Sequence, residues 1–203
     1  MARATMATLI TRLRTQIHDA AGTAQVFADD ELQELLDSRR VDIYDEPMLS
    51  IPQVSAGGTV TYYEFGAPGY GDLEDTSGGT SVFYVTDSTG ARRGTATWAA
   101  VDYQRGRVTF TTDQAGTALY VTARSYDVAG AAADACERWA QRVALQFDFS
   151  TDGQSFARSQ QLKALNGMAE MFRRKARIRR TTITRTDVRS DAGPTYPADD
   201  VEP

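Results

Sequence analysis

The stretch "FDFSTDGQSFARSQ", residues 147–160, decides the fold of the second half of this chain. Asp148, Ser150, Asp152 and Gly153 stand where a calcium-binding helix–loop–helix wants its first, third, fifth and sixth loop positions. Such a loop closes its coordination sphere with a bidentate carboxylate at the twelfth position. That position is Ser159 here, and the ninth is Phe156. Without the closing carboxylate the metal reading fails. Asp, Ser and Gly then serve as a turn that joins two helices.

The flanks carry the pattern of those helices. In "VAGAAADACERWAQRVALQFDF", residues 128–149, Ala132, Cys136, Trp139, Val143 and Phe147 recur at steps of three and four, one apolar stripe on one face. After the turn, Phe156 leads into a second stripe of Leu162, Leu165, Met168, Ala169 and Phe172. So short a link predicts an antiparallel helix hairpin. Trp139, as a buried aromatic of that hairpin, predicts a loss of about 3–5 kcal/mol on substitution by alanine. The run Ala129–Ala135 lets a backbone approach closely, which suits helix packing or subunit packing.

Working outward, residues 3–43 read as two more helices. Leu9, Ile10, Leu13 and Ile17 fall at helical spacing, and Leu32, Leu35 and Leu36 give the second helix its apolar face. Asp29 or Asp30 is placed to cap that helix, with Arg39 and Arg40 in its last turn and Pro47 and Pro52 stopping it. Between about 53 and 127 the period changes. "GTVTYYEF", "TSVFYVTD", "GTATWAAV", "GRVTFTTD" and "TALYVTARSY" are short runs rich in Val, Thr, Tyr and Phe, separated by Gly-, Asp- and Pro-bearing turns. They predict a small antiparallel β-domain of about five or six strands. "DYQRGRVTF" is the clearest hairpin, with Gly106 free to take positive φ. Tyr62, Tyr63, Phe83, Tyr84 and Phe110 read as core and cross-strand residues before they read as a ligand face.

Composition narrows the function classes. The 203 residues are 41% hydrophobic and 24% charged, the balance of an ordinary globular protein. No run approaches the roughly 18 apolar residues of a membrane span. The first residues carry Arg3, Arg12 and Arg14 without an apolar block, which argues against a signal peptide. Cys136 is the single cysteine, so no internal disulfide forms and a cytoplasmic origin is expected. His18 is the single histidine, and no nucleotide-binding or hydrolase motif occurs; no enzyme, metal or cofactor is implied. Charge is uneven. Residues 171–189 hold eight basic side chains against Asp187, a balance of +7 in a chain of net −5, which leaves −12 elsewhere. Such asymmetry points to a partner. Within "RIRRTTITRTDVR", residues 177–189, the β-branched run Thr181, Thr182, Ile183, Thr184 and Thr186 has strand propensity but no following partner strand. It is expected to be mobile in the free chain, and the Pro- and Asp-rich residues 190–203 disordered.

This order of segments resembles the head-to-tail adaptor (connector) proteins of long-tailed bacteriophages. The resemblance rests on "DDELQELLD" and on the hairpin from Ala132 to Arg177 with its link "DFSTDGQSFARSQ", and it covers roughly residues 5–45 and 127–180. The β-region goes beyond the smallest members, which carry only a loop there. The resemblance implies an α+β fold: a four-helix adaptor-type bundle, an inserted small antiparallel β-domain, and a flexible C-terminal tail. The boundaries are 1–50 for the first helices, 51–127 for the insert, 128–177 for the hairpin and 178–203 for the tail. It implies a structural virion protein at the portal vertex between head and tail, made in the host cytoplasm. Its partners would be the portal protein, a downstream tail-completion or stopper protein, and copies of itself in a ring expected to be of twelve. DNA would pass transiently through the lumen without sequence preference, and no membrane is involved. Arg177, Arg179, Arg180, Thr181, Thr182, Ile183, Thr184 and Arg185 are the expected portal-binding residues, by strand addition to a sheet edge on the portal. The expected structural core is Leu32, Leu35, Leu36, Trp139, Val143, Phe147, Phe156, Leu162, Leu165 and Phe172. Two other readings stand beside this one. A nucleic-acid-binding regulator would use the basic helix end, against a pI of about 4.9. A glycan- or receptor-binding tail protein would use the aromatics of the β-domain.

Overall fold

The computed structural model describes residues 2–54, 57–75, 82–144, 149–151, 154–156 and 158–176. Among these residues the chain is α+β, with four α-helices and two four-stranded antiparallel sheets. A single 3-10 turn, Ala4–Met6, leads into α1, Ala7–Ile17. Helix α2 spans Asp29–Ser38. Their apolar faces, Leu9, Ile10, Leu13 and Ile17 on one and Leu32, Leu35 and Leu36 on the other, are all buried in one helical core.

The α1–α2 connection is shaped by a buried ion pair. Arg14 donates to Asp19 Oδ2 at 2.8 Å, to the Phe27 carbonyl at 2.7 Å and to Asp29 Oδ1 at 2.7 Å. The Asp19 carboxylate also accepts the Val26 and Phe27 N–H groups at 2.7 and 3.2 Å. Both charges therefore keep several partners, the condition under which burial is tolerable. The expected cap is different in kind. Ala28 holds the N-cap position, and Glu31 reaches back to its N–H at 2.8 Å, while Asp29 serves Arg14.

The second helix is shorter than its sequence suggests. It ends at Ser38, and "RVDIYDEP" is strand β1, Arg40–Pro47. Val41, Ile43 and Tyr44 favour a pleated surface, and β8, Leu119–Tyr126, offers the partner, with Arg40 opposite Tyr126 and Ile43 opposite Ala123. Strand β2, Leu49–Val54, follows at once. The β-region thus begins at Arg40 rather than near residue 51. Pro47 and Pro52, expected as helix stops, sit in outermost strands, where a missing N–H costs little.

The remaining strands are β3 (Val60–Gly66), β4 (Tyr84–Asp87), β5 (Arg92–Arg93), β6 (Trp98–Asp102) and β7 (Arg107–Phe110). One sheet runs β1-β8-β4-β5 and the other β2-β3-β7-β6. They share a core of Ile43, Phe65, Phe83, Val85, Val108, Phe110, Leu119 and Val121. Within it Phe65 meets Phe110, and Phe83 meets Trp98 and Tyr103, all edge to face. Tyr62, Tyr63 and Tyr84 are half-buried. The β6–β7 turn places Gly106 at φ 66°, where an added Cβ would lie 2.7 Å from the Tyr70 carbonyl. Only glycine fits there.

Helix α3, Val128–Ala144, is the centre of the helical layer, and α4, Arg158–Lys175, packs along it. Ala140 and Val143 meet Leu165 near one end, while Cys136 shares the main core with Ala169 and Phe172 towards the other, so the two run antiparallel. Arg173 pairs with Glu137 across them. Between the helices Phe149–Thr151 pairs with Gln154–Phe156, giving β9 and β10, a short ladder where a plain turn was expected. Phe147 and the side chain of Phe156 lie outside the described residues. The alanine run is consumed inside the chain: Ala131, Ala132, Ala133 and Ala135 are all buried against it. Trp139 is only half-buried, edge-on to Phe27 at 6.4 Å. Substituting the fully buried Phe27 by alanine is expected to cost about 3–5 kcal/mol, and Trp139→Ala clearly less, about 2 kcal/mol. Urea unfolding of the two variants checks that order.

Candidate functional site

The strongest cluster of polar chemistry lies where the helical layer meets the sheets. Loop residues Gly71–Glu74 are stitched along β8: Ser125 Oγ donates to the Gly71 carbonyl at 2.6 Å, Tyr126 N–H to the Asp72 carbonyl at 3.1 Å, and Glu74 N–H to the Arg124 carbonyl at 2.9 Å. This directs the Glu74 side chain, 1% exposed, into the interface. Its Oε1 accepts Thr5 Oγ1 at 2.6 Å and Arg3 Nε at 3.3 Å; its Oε2 accepts Tyr126 OH at 2.6 Å and an Arg124 nitrogen at 3.5 Å. Arg3 also grips Asp37 of α2 with two bonds of 2.7 and 3.0 Å. One carboxylate therefore joins the N-terminal segment, the 71–75 loop and β8, and through Arg3 it reaches α2.

The electrostatics follow from this geometry. Burial alone raises the Glu74 pKa, but hydrogen bonds from Thr5 and Tyr126 and the charges of Arg3 and Arg124 outweigh it, and the net shift is downward. Tyr126 is pushed up by burial and by donating to that carboxylate. The Arg3 guanidinium is held charged, chiefly by its bond to Asp37. Every oxygen of the Glu74 carboxylate is engaged by a donor, the arrangement of a clasp. Beside it Arg12 pairs with Asp72, over a cavity of about 70 Å³ lined by Thr5, Thr8, Leu9 and Tyr103. Sequence reasoning missed Glu74 because "DLEDTSGG" reads as turn chemistry, and no local pattern places its side chain against Thr5 or Tyr126.

The sequence-predicted residues fall as follows. Leu32, Leu35, Leu36 and Phe172 belong to the main helical core, and Val143 and Leu165 to a smaller cluster between α3 and α4 with half-buried Leu162 and Trp139. Cys136 is fully buried, and burial together with Glu137 pushes its thiol up to about 11, so it stays protonated near neutral pH. The proposed portal-binding residues, Arg177 to Arg185, lie outside the described residues. His18 lies with Thr11, Thr15 and Asp19 around a surface hollow of about 410 Å³ at the end of α1. Among the described residues there is no group of three or more His, Cys, Asp or Glu able to hold a metal ion. None of the described helices is long and apolar enough to cross a membrane. Comparison with protein-family models, with curated proteins and with solved structures found no match.

Because the folded pKa of Glu74 is depressed, its contribution to stability is present above the unfolded pKa and is lost as pH falls through the folded value. Glu74→Gln is expected to cost about 2–3 kcal/mol at pH 7, the scale of hydrogen bonds to a charged group. The gap between wild type and variant should narrow as pH falls below the ordinary glutamate range and through the depressed folded value, where the wild-type carboxylate also loses its charge. Thermal melts of both proteins across pH 3–7 check this.

Proposed function

We propose that this chain is a head-to-tail adaptor of a long-tailed bacteriophage, assembling as a ring beneath the portal through which DNA passes during packaging and ejection. The observation that carries the reading is the helix hairpin: α3 and α4 pack antiparallel, and α4 ends in Arg173, Arg174 and Lys175, the start of the basic run. In an adaptor, that end of the chain is the part free to seek a partner. The segment 177–185 then reaches the portal, its arginines meeting acidic groups and Thr181–Thr184 adding to a sheet edge.

A ring arises from a heterologous interface whose rotation closes. Since the alanine face of α3 is already buried within the subunit, lateral contact falls to other surfaces, such as the exposed face of α4 around Met171. DNA contact in a conduit must let any sequence slide, so it is diffuse and salt-sensitive without base readout. The β-region, closed around its own core, is a second body carried by the ring, and contact with the tail-completion protein is its natural task.

Electron microscopy of the protein mixed with its portal tests the reading. Rings seated on the portal are the expected result; a chain that ignores the portal but selects one operator-like DNA site would favour the regulator. A chain ended after Ala176 is expected to keep its fold and lose portal attachment. Unchanged docking of that shortened chain would move the attachment surface elsewhere.

A further inference from the structure

The sheet β2-β3-β7-β6 is open on both sides: among the described residues no strand pairs with the outer edge of β2 or of β6. Open backbone edges template the pairing of another strand, and proteins commonly guard them with charge. The other sheet is guarded in this way. Its outermost strand β1 carries Arg40, Asp42, Asp45 and Glu46, and its outermost strand β5 is Arg92–Arg93. Of these, Asp42 pairs with Arg40 and Arg124, and Arg93 pairs with Asp87. The edges of the β2–β6 sheet differ. Between Glu46 and Glu64, a stretch that includes all of β2, the sequence has no Asp, Glu, Lys, Arg or His. The same holds between Arg93 and Asp102, which covers β6 up to its last residue. Asp102 is itself engaged within the chain, accepting the Arg105 N–H at 3.0 Å and meeting its side chain at 3.8 Å.

The two open edges also match in geometry. Every pair in this sheet is antiparallel, so β2 and β6 run in opposite directions. Three rows cross all four strands in direct register. One holds Leu49, Gly66, Arg107 and Asp102; the next Ser50, Phe65, Val108 and Val101; the third Ile51, Glu64, Thr109 and Ala100. Pro52, which has no N–H to offer, lies outside these rows, as do the register shifts of β2 and β6. Leu49, Ser50, Ala100 and Asp102, at the ends of the rows, are exposed. A second copy set beside the first in the same orientation therefore brings its β6 antiparallel to the first copy's β2.

We propose that β2 of one copy pairs with β6 of the next, a head-to-tail contact that continues one sheet from copy to copy. Different surfaces meet, so the contact is heterologous and closes into a ring when the rotation between copies allows it. Main-chain hydrogen bonds supply the attachment, and the uncharged edges admit a neighbour where the charged edges of the other sheet repel or occupy one. The pairing belongs to the chain alone and does not rest on the adaptor reading. In an adaptor it is a lateral contact of the ring, beside any made by α4.

Cross-linking tests this on concentrated protein carrying Cys136→Ala, so that every thiol is an introduced one. Ile51→Cys and Ala100→Cys stand at opposite ends of one row. Within one chain they are three strand spacings apart, about 14 Å, too far for a short thiol cross-linker. Circular dichroism checks that each variant keeps its fold. Each single variant is expected to remain a monomer, their mixture to give dimers, and a chain carrying both to give a ladder of dimers, trimers and larger species. Leu49→Lys with Ser50→Lys, added to that doubly substituted chain, is expected to abolish the ladder, and Tyr44→Lys on β1 to leave it. Dimers of Ile51→Cys alone, in the same yield as from the mixture, would overturn the proposal, because β2 would then pair with itself about a two-fold axis. Absence of a ladder from the chain carrying both cysteines would overturn it as well.

Discussion

One buried carboxylate takes hydrogen bonds from both the helical and the β parts of this molecule, beside the Arg12–Asp72 and Arg39–Asp134 ion pairs. Glu74 is the meeting point of Thr5 and Arg3 from the N-terminal segment and of Tyr126 and Arg124 from β8. The helical and β cores are otherwise separate clusters. Tyr126 belongs to both worlds: its ring lies in the helical core while its hydroxyl serves Glu74. A buried charge left without partners is strongly destabilising, so the loop that carries Glu74 is held in register with β8. This makes the clasp a constraint on register as well as a source of stability.

What the sequence announced and what it concealed divide along a physical line. Local periodicity was enough for α1, α2, α3 and α4, because each stripe faces one core and a helix stripe repeats every three or four residues. Strands β3, β4, β6, β7 and β8 were legible through β-branched runs and turns, and Gly106 through the conformation its hairpin needs. Strands β1 and β2 were not. Their decisive feature is a partner more than 60 residues away for β1, and their prolines mimic helix stops because an outermost strand tolerates them. The Ala28 cap was hidden for a related reason: Asp29 looks like a cap until Arg14 claims it. Glu74 was out of reach altogether, since a carboxylate in a glycine-rich loop carries no mark of the tyrosine it will meet.

The same division shapes the functional reading. The helix hairpin and the basic segment after it were visible in the sequence, and the proposed adaptor reading rests on them. The described structure adds that the end of α4 is tied to α3 by the Arg173–Glu137 pair. It also removes one argument, since the alanines of α3 are used within the chain and are not available to a neighbour. The β-region, with its own aromatic core, is a body large enough to do separate work, and the clasp determines how firmly it moves with the helices.

That coupling has a direct test, because the chain has two tryptophans, one packed against each core: Trp98 among the sheets and Trp139 among the helices. Denaturant unfolding can be followed with each tryptophan alone, using Trp139→Phe and Trp98→Phe proteins with and without Glu74→Gln. The clasp predicts coincident transitions from the two probes when Glu74 is present, and separate transitions when it is replaced. Two separate transitions with Glu74 in place, or coincident ones without it, would contradict the claim that this carboxylate makes the two cores one body.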